Sequence, residues 1–308
     1  VSIDAHHHLW DPSDRDYPWM DDSVAPIRRR FDVDDLRAAL EGSGVDRTVV
    51  VQAVHDPGET AWLLRQPAPV AGVVGWVDLT APDVDERLAA IVAEHPAALV
   101  AEHPAALVAD DPEVETVAPR LVGIRHQAQD EPDPGWLARP DVVRGVRAVA
   151  DAGLAFDLLV REREHGAALA LVDAVPEGRF VLDHAGKPAI ADDHGPGGSA
   201  VADAWRARMR AFAARPNVVC KVSGLLTEAG NDWRDRPVAR YLREVVGTFG
   251  PDRSMFGSDW PVSTLAADHA EVLHTTTAAL ADLSPSERHD VSTGTAERTY
   301  FPGEVTQT

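Results

Sequence analysis

The chain has 308 residues, enough for two ordinary domains or one α/β barrel, and its 44% hydrophobic content supports a sizeable core. Fifty acidic against 29 basic residues give a formal net charge of -21, which disfavours binding to phosphate backbones and anionic lipid surfaces. No apolar run approaches the roughly 20 residues needed to cross a bilayer, and the single Cys220 excludes an internal disulfide framework. With no charged and apolar leader at the start, a cytoplasmic location is the expectation.

The first element is the run Ile3-Asp4-Ala5-His6-His7-His8-Leu9-Trp10. Side chains alternate across a strand, so His6, His8 and Trp10 share one face and His7 takes the other. Two histidines on one face suit a metal or an oxyanion, and embedding between Ile3 and Leu9-Trp10 argues against an expression tag. Further segments rich in β-branched and apolar residues follow at 47–54, 70–79, 121–127, 154–160, 179–186, 217–224 and 254–261, giving eight with residues 1–10. Runs such as Val49-Val50-Val51 read as strands buried on both faces.

Helical spacing fills most of the gaps. Val33 to Leu40 ends near Gly42 and Gly44, and Asp141 to Ala152 lies between Pro140 and Gly153, an N-terminal proline and a C-terminal glycine. Strands alternating with helices imply parallel strands with crossovers, and eight units predict a single-domain (β/α)8 TIM barrel. No Gly-x-Gly-x-x-Gly turn supports a doubly wound sheet instead. The segment 93–100 recurs unchanged as 101–108, which reads as a tandem duplication lengthening one connection, with His95 and His103 at the surface. The Asp/Gly/Pro-rich run 192–198 reads as a loop and a candidate lid.

Polar residues gather at the C-terminal ends of the strands, where barrel active sites lie. They are His6 and His8 on strand one, Arg125 on strand four, Asp157 on strand five, His184 on strand six, Lys221 and Ser223 on strand seven, and Asp259 on strand eight. His126 has the opposite parity to Arg125, so both point inward only if a bulge intervenes. Each residue alone has an ordinary structural role open to it; the set together points to chemistry.

The chain resembles the amidohydrolase-related branch of the amidohydrolase superfamily, and within it the members related to sugar and pyrone-dicarboxylate lactonases. The resemblance rests on Asp4-x-His6-x-His8, Gly123-Ile124-Arg125-His126, Leu182-Asp183-His184-Ala185-Gly186-Lys187-Pro188, Lys221-Val222-Ser223-Gly224 and Met255-Phe256-Gly257-Ser258-Asp259-Trp260-Pro261. It implies a lactone-opening hydrolase with Asp259 as general base and His6, His8 and His184 as polarising or metal-binding histidines. Arg125 and Lys187 would hold substrate hydroxyls or a carboxylate, while Trp10 and Trp260 would stack on a sugar ring or pack at the barrel top. Asp183 and Asp157 would orient imidazoles, and Lys221 would pair with an acid inside the barrel.

The lysine or glutamate bridge and the strand-five histidine of two-metal relatives have no counterpart here. The expectation is therefore no essential cofactor, or one divalent cation, zinc by preference, held by some of His6, His8, His184 and Asp259. The expected partner is a small lactone, with neither nucleic acid nor membrane as a partner and a homo-oligomer left open. A mononuclear zinc amidohydrolase or decarboxylase and a non-catalytic sugar-acid binding barrel are the competing readings.

Overall fold

A computed structural model describes residues 2–94, 118–194 and 200–303. The second copy of the octapeptide, residues 95–100 of the first, and residues 195–198 of the candidate lid lie outside the described residues. Eight parallel strands follow one another around the sheet in chain order: β1 Ser2–His7, β2 Val45–Val51, β3 Val70–Gly75, β4 Arg120–His126, β5 Ala155–Leu158, β6 Arg179–Leu182, β7 Val218–Val222 and β8 Ser254–Phe256. Closure is made just beyond β8, where His8 N–H donates to Trp260 O at 2.7 Å and Asp259 N–H to His6 O at 2.8 Å. The fold is the expected (β/α)8 barrel.

Helices α1 Val33–Leu40, α2 Pro57–Leu63, α3 Val84–Glu94, α4 Pro140–Asp151, α5 His165–Ala174 and α6 Ala200–Ala213 follow strands one to six. After β7 come the short α7 Leu225–Glu228 and the longer α8 Val238–Phe249; after β8 come α9 His269–Ala279, α10 Pro285–His289 and α11 Thr295–Tyr300. The strands bury both faces. Val50, Val73, Phe156, Leu182 and Cys220 pack toward the helices, whereas Ile3, Val49, Val74, Val181 and Met255 fill the barrel together with Ala296, Tyr300 and Phe301 of the last helix and its end.

Several strands stop earlier than the apolar runs suggest. β6 ends at Leu182, and Asp183–Gly186 form a short 3-10 turn in which His184 and Ala185 have φ of 52° and 49°. β8 ends at Phe256, and Asp259 follows with φ 59°. His184 and Asp259 therefore sit on the loops leaving their strands, where backbone direction is set by tertiary contacts. β1 also carries a register shift between Asp4 and His7, so that Ala5 and His6 both face the barrel interior and Asp4 does not share the face of His6 and His8. Asp4 instead accepts from Ser258 N–H at 2.8 Å and lies 3.3 Å from His269 Nε2.

The turn after β8 passes so close to β1 that a Cβ on Gly257 would stand 2.6 Å from His6 Cβ and 3.1 Å from its nitrogen. Gly257→Ala is expected to lower stability by about 1–3 kcal/mol, the usual range for overpacking. Chemical denaturation of the variant measures that loss, and an unchanged midpoint would show that the closure relaxes freely.

Candidate active site

The barrel mouth is lined by His8, Trp19, Arg125, Gln127, Gln129, His184, Lys187 and Asp259, among others. A larger apolar cleft, about 280 Å³ against about 100 Å³ for the mouth, opens beside Ser2 and Leu280. That cleft has only Arg288 as a charged lining residue, so the titratable groups, and not the volume, mark the mouth as the site.

Three donor atoms converge there. His6 Nε2 lies 3.2 Å from His8 Nε2 and 3.7 Å from Asp259 Oδ1, and His8 Nε2 lies 3.6 Å from the same oxygen. His184 Nε2 is slightly farther from Asp259 Oδ1, at 3.9 Å. His8 Nδ1 donates to Val51 O at 2.7 Å, which leaves the His8 Nε2 lone pair facing the Asp259 carboxylate. Two lone pairs 3.6 Å apart suit a cation that accepts both, or separate hydrogen-bond donors such as a water at Asp259 and a neighbouring N–H at His8. Ligands of a tetrahedral zinc at ~2.0–2.1 Å stand roughly 3.3–3.4 Å apart, so His6, His8 and Asp259 form a donor set that fits a divalent ion.

Below them is a cluster of buried charge. Lys221 Nζ reaches Asp157 Oδ2 at 2.6 Å, Asp183 Oδ1 at 3.1 Å and His6 Nδ1 at 3.1 Å. Tyr300 Oη donates to Asp157 from the last helix, at 2.8 and 3.0 Å to the two carboxylate oxygens. Arg125 Nη1 donates to Asp183 Oδ2 at 3.1 Å, its Nε to Gln52 Oε1 at 3.0 Å, and its Nη2 to the Gln52 carbonyl. Burial pushes the Asp183 carboxyl upward, but the Lys221 and Arg125 cations beside it hold it well below the usual range. Burial wins at Asp157, which is raised.

Around the cavity, burial keeps the imidazoles neutral. It draws His8 down to about 3 with help from Arg125, His184 to about 4, and His6 well below its ordinary value with help from Lys221. The Asp259 carboxyl is raised by burial, against the pull of His184, Lys187 and Arg125. A carboxylate with a raised pKa among neutral imidazoles is an apt proton acceptor.

Lys187 reaches the mouth from a left-handed backbone position, φ 52°, and pairs with Glu228 at 3.7 Å. His184 Nδ1 meets Ser223 Oγ at 2.9 Å, and a Cβ on Gly224 would stand 2.7 Å from that ring nitrogen. Trp10 and Trp260 need correction as sugar-stacking platforms. Trp10 is fully buried, donating from Nε1 to the carbonyls of Ile27 and Arg29, and Trp260 is 4% exposed with its ring edge-to-face with Phe31 at 5.3 Å. Both are packing residues behind the mouth.

His126 points away from Arg125, because β4 and β5 pair without a shift from Gly123 to His126. It stacks between His55 at 4.0 Å and Trp136 at 3.9 Å. His55, His126 and Glu131 are close enough to suggest a second metal group. Their lone pairs are already committed: His126 Nδ1 accepts from Trp76 Nε1, His126 Nε2 meets Glu131 at 2.8 Å, and His55 Nε2 accepts from Gln127 N–H. Two nearly parallel imidazoles also aim their in-plane lone pairs along separate planes, so the trio is a stacked wall beside the mouth.

Sequence reasoning missed Gln52, Gln127, Gln129, Trp19 and Tyr300. Gln52 had a usable signal, since it is the first polar residue after the Val49-Val50-Val51 run. Gln129 Oε1 is buried at the cavity wall without a hydrogen bond, an acceptor suited to a ligand hydroxyl.

The amidohydrolase family model matches residues 3–301, and the chain belongs to that family. It is 38% identical over 267 residues to an L-fucono-1,5-lactonase of Burkholderia ambifaria, covering 86% of this chain and 81% of that one. An L-fucono-1,5-lactonase of Burkholderia multivorans is 37% identical over 97% of this chain and 96% of its own length. The crystal structure of a Burkholderia multivorans amidohydrolase with bound zinc superposes with a TM-score of 0.80 at 36% identity, covering 97% of this chain and 99% of that one.

Burial also draws His7 down to about 4, although Asp4 opposes it, while its Nε2 meets Thr48 Oγ1 at 2.9 Å. An unfolded histidine titrates near 6.5. The unfolded chain therefore binds the extra proton, and the contribution of neutral His7 is full above about pH 6.5 and lost as pH falls toward 4. Buried Glu59, raised to about 7, works in the opposite sense, so the comparison must be site-specific. Relative to His7→Gln, the wild type is expected to lose about 1.4 kcal/mol more per pH unit across that window. Denaturation curves at several pH values check this, and parallel pH dependences would refute it.

Proposed function

We propose that the chain hydrolyses a sugar-derived lactone, an aldonolactone of the kind named for its Burkholderia relatives, by attack of water at the barrel mouth. The observation that carries this reading is the facing pair of acceptors, His8 Nε2 and Asp259 Oδ1, 3.6 Å apart in a buried pocket. A water donating to Asp259 Oδ1 beside His8 would aim its lone pair away from that carboxylate, toward a carbonyl. As the carbonyl carbon is attacked, Asp259 takes the water proton and the C–O bond of the ring opens after the tetrahedral intermediate collapses. The same proton can then return to the departing ring oxygen.

Charge that develops on the carbonyl oxygen needs fixed donors in a site with little water. His6, His184, Arg125 and Lys187 are placed to supply them, and Lys187 with Gln129 to hold ring hydroxyls. His6, His8 and Asp259 would hold a divalent ion, which when bound supplies a Lewis acid at this point. That donor set also favours, as a second reading, a mononuclear zinc amidohydrolase or decarboxylase. The proximity of a base to several donors counts against a binding protein without turnover.

Asp259→Asn is expected to lower kcat on an aldonolactone about 10²–10⁴-fold, the range for loss of a general base, with the fold intact by circular dichroism. Near-normal turnover in that variant would overturn the assignment. Lys187→Met is expected to raise KM roughly tenfold, or about 1.4 kcal/mol, with a smaller effect on kcat. Initial rates of proton release across a panel of 1,4- and 1,5-lactones measure both; amide hydrolysis or decarboxylation without lactone turnover would favour the second reading.

A further inference from the structure

Both nitrogens of His6 are engaged, and the neighbours of Nδ1 make opposite demands. Lys221 Nζ, 3.1 Å away, has only donors to offer, whereas Asp183 Oδ1, 3.3 Å away, has only lone pairs. A neutral imidazole carries a single N–H, so it can satisfy one of them from Nδ1 and not both. At Nε2 the nearest ring atom is His8 Nε2 at 3.2 Å, an acceptor because its other nitrogen donates to Val51 O. Asp259 Oδ1 at 3.7 Å is a second acceptor, while Arg125 Nη1, at 3.5 Å, donates to Asp183 at a shorter distance of 3.1 Å. A donor on one side and acceptors on the other place the proton on Nε2. Asp183 Oδ1 accordingly lacks a hydrogen bond and keeps only its ion-pair contact with Lys221.

We infer that Lys221 is a positioning residue that holds the His6 proton on Nε2, making His6 a hydrogen-bond donor to the cavity and opposing its use as a metal ligand. A metal-bound imidazole offers its lone pair to the ion and gives its other N–H to a carboxylate or carbonyl. For His6 that arrangement is Nδ1–H to Asp183, the one Lys221 excludes. Asp157 fixes Lys221 from the far side at 2.6 Å, and Tyr300 fixes Asp157. The proton shifts between two nitrogens of one neutral ring, so no change of charge is involved. The inference deepens the proposed function by fixing the direction of a hydrogen bond at that site.

The test uses the full-length protein stripped of metal and labelled with 15N-histidine, read by two-bond 1H–15N correlation at neutral pH. The wild type is expected to show His6 with its proton on Nε2, and Lys221→Met/Asp157→Asn to show it on Nδ1. That double variant removes one charge of each sign and keeps an acceptor for Tyr300. Zinc affinity, read by competition with a chromophoric chelator, is expected to rise roughly tenfold or more in the double variant and to fall by a similar factor in Asp183→Asn, the scale of partner effects on ligating histidines. A merely structural Lys221 would leave the tautomer unchanged and weaken zinc in both variants. A wild-type His6 with its proton on Nδ1, or a double variant that binds zinc no better than wild type, would overturn the inference. If the double variant fails to fold, the wild-type spectrum and Asp183→Asn still decide. Neither readout uses a lactone, so failure of the substrate assignment is separately visible.

Discussion

The site depends on four buried charges below His6: Arg125 and Lys221 against Asp157 and Asp183, all essentially inaccessible to water. Any one of them left without its partner would face a desolvation penalty of several kcal/mol. They come from β4, β5, the turn after β6, and β7, so four consecutive strands are tied in register by one ionic lattice. Its formal charges sum to zero. Asp259, above it, faces the neutral imidazoles of His6, His8 and His184, and burial raises its affinity for a proton. A strongly acidic protein thus presents a mouth with its own local cations, which is why net charge says little about the substrate.

Backbone geometry does the remaining positioning. His184, Ala185, Lys187 and Asp259 occupy the left-handed region, where L-residues are disfavoured by about 1–2 kcal/mol each. Such conformations persist where surrounding contacts over-determine them, and they gather at functional sites. Here the contacts are explicit: Asp259 is pinned by its N–H to His6 O, and His184 lies against the bare Cα of Gly224. Closing the barrel and orienting Asp259 are the same event, since both use the pairing of β1 with the segment after β8.

Much of this was legible in the sequence, and the failures have physical causes. Period-two alternation correctly paired His6 with His8 and separated Arg125 from His126. A register shift in β1 resets the alternation and turns Asp4 to the opposite face, and no residue in the run announces it. Trp10 has the parity of the two histidines, yet β1 ends at His7, and Trp10 is turned into the packing beneath Phe31. Apolar runs marked strands six and eight but not where they stop, since the left-handed residues His184 and Asp259 are not themselves glycines. Tyr300 was invisible for another reason: it comes from the last helix, outside the strand pattern, and only the closed barrel brings it to Asp157. The pairing of Lys221 with an interior acid was readable from its place in a strand buried on both faces.

The central claim is that Asp259 acts on water and is not itself the nucleophile. A single turnover of an aldonolactone in H₂18O, with enzyme in excess, tests this most directly. The account predicts one 18O in the product carboxylate and none in the peptide that contains Asp259. Label in the Asp259 carboxyl would mean a covalent acyl intermediate, and would contradict it.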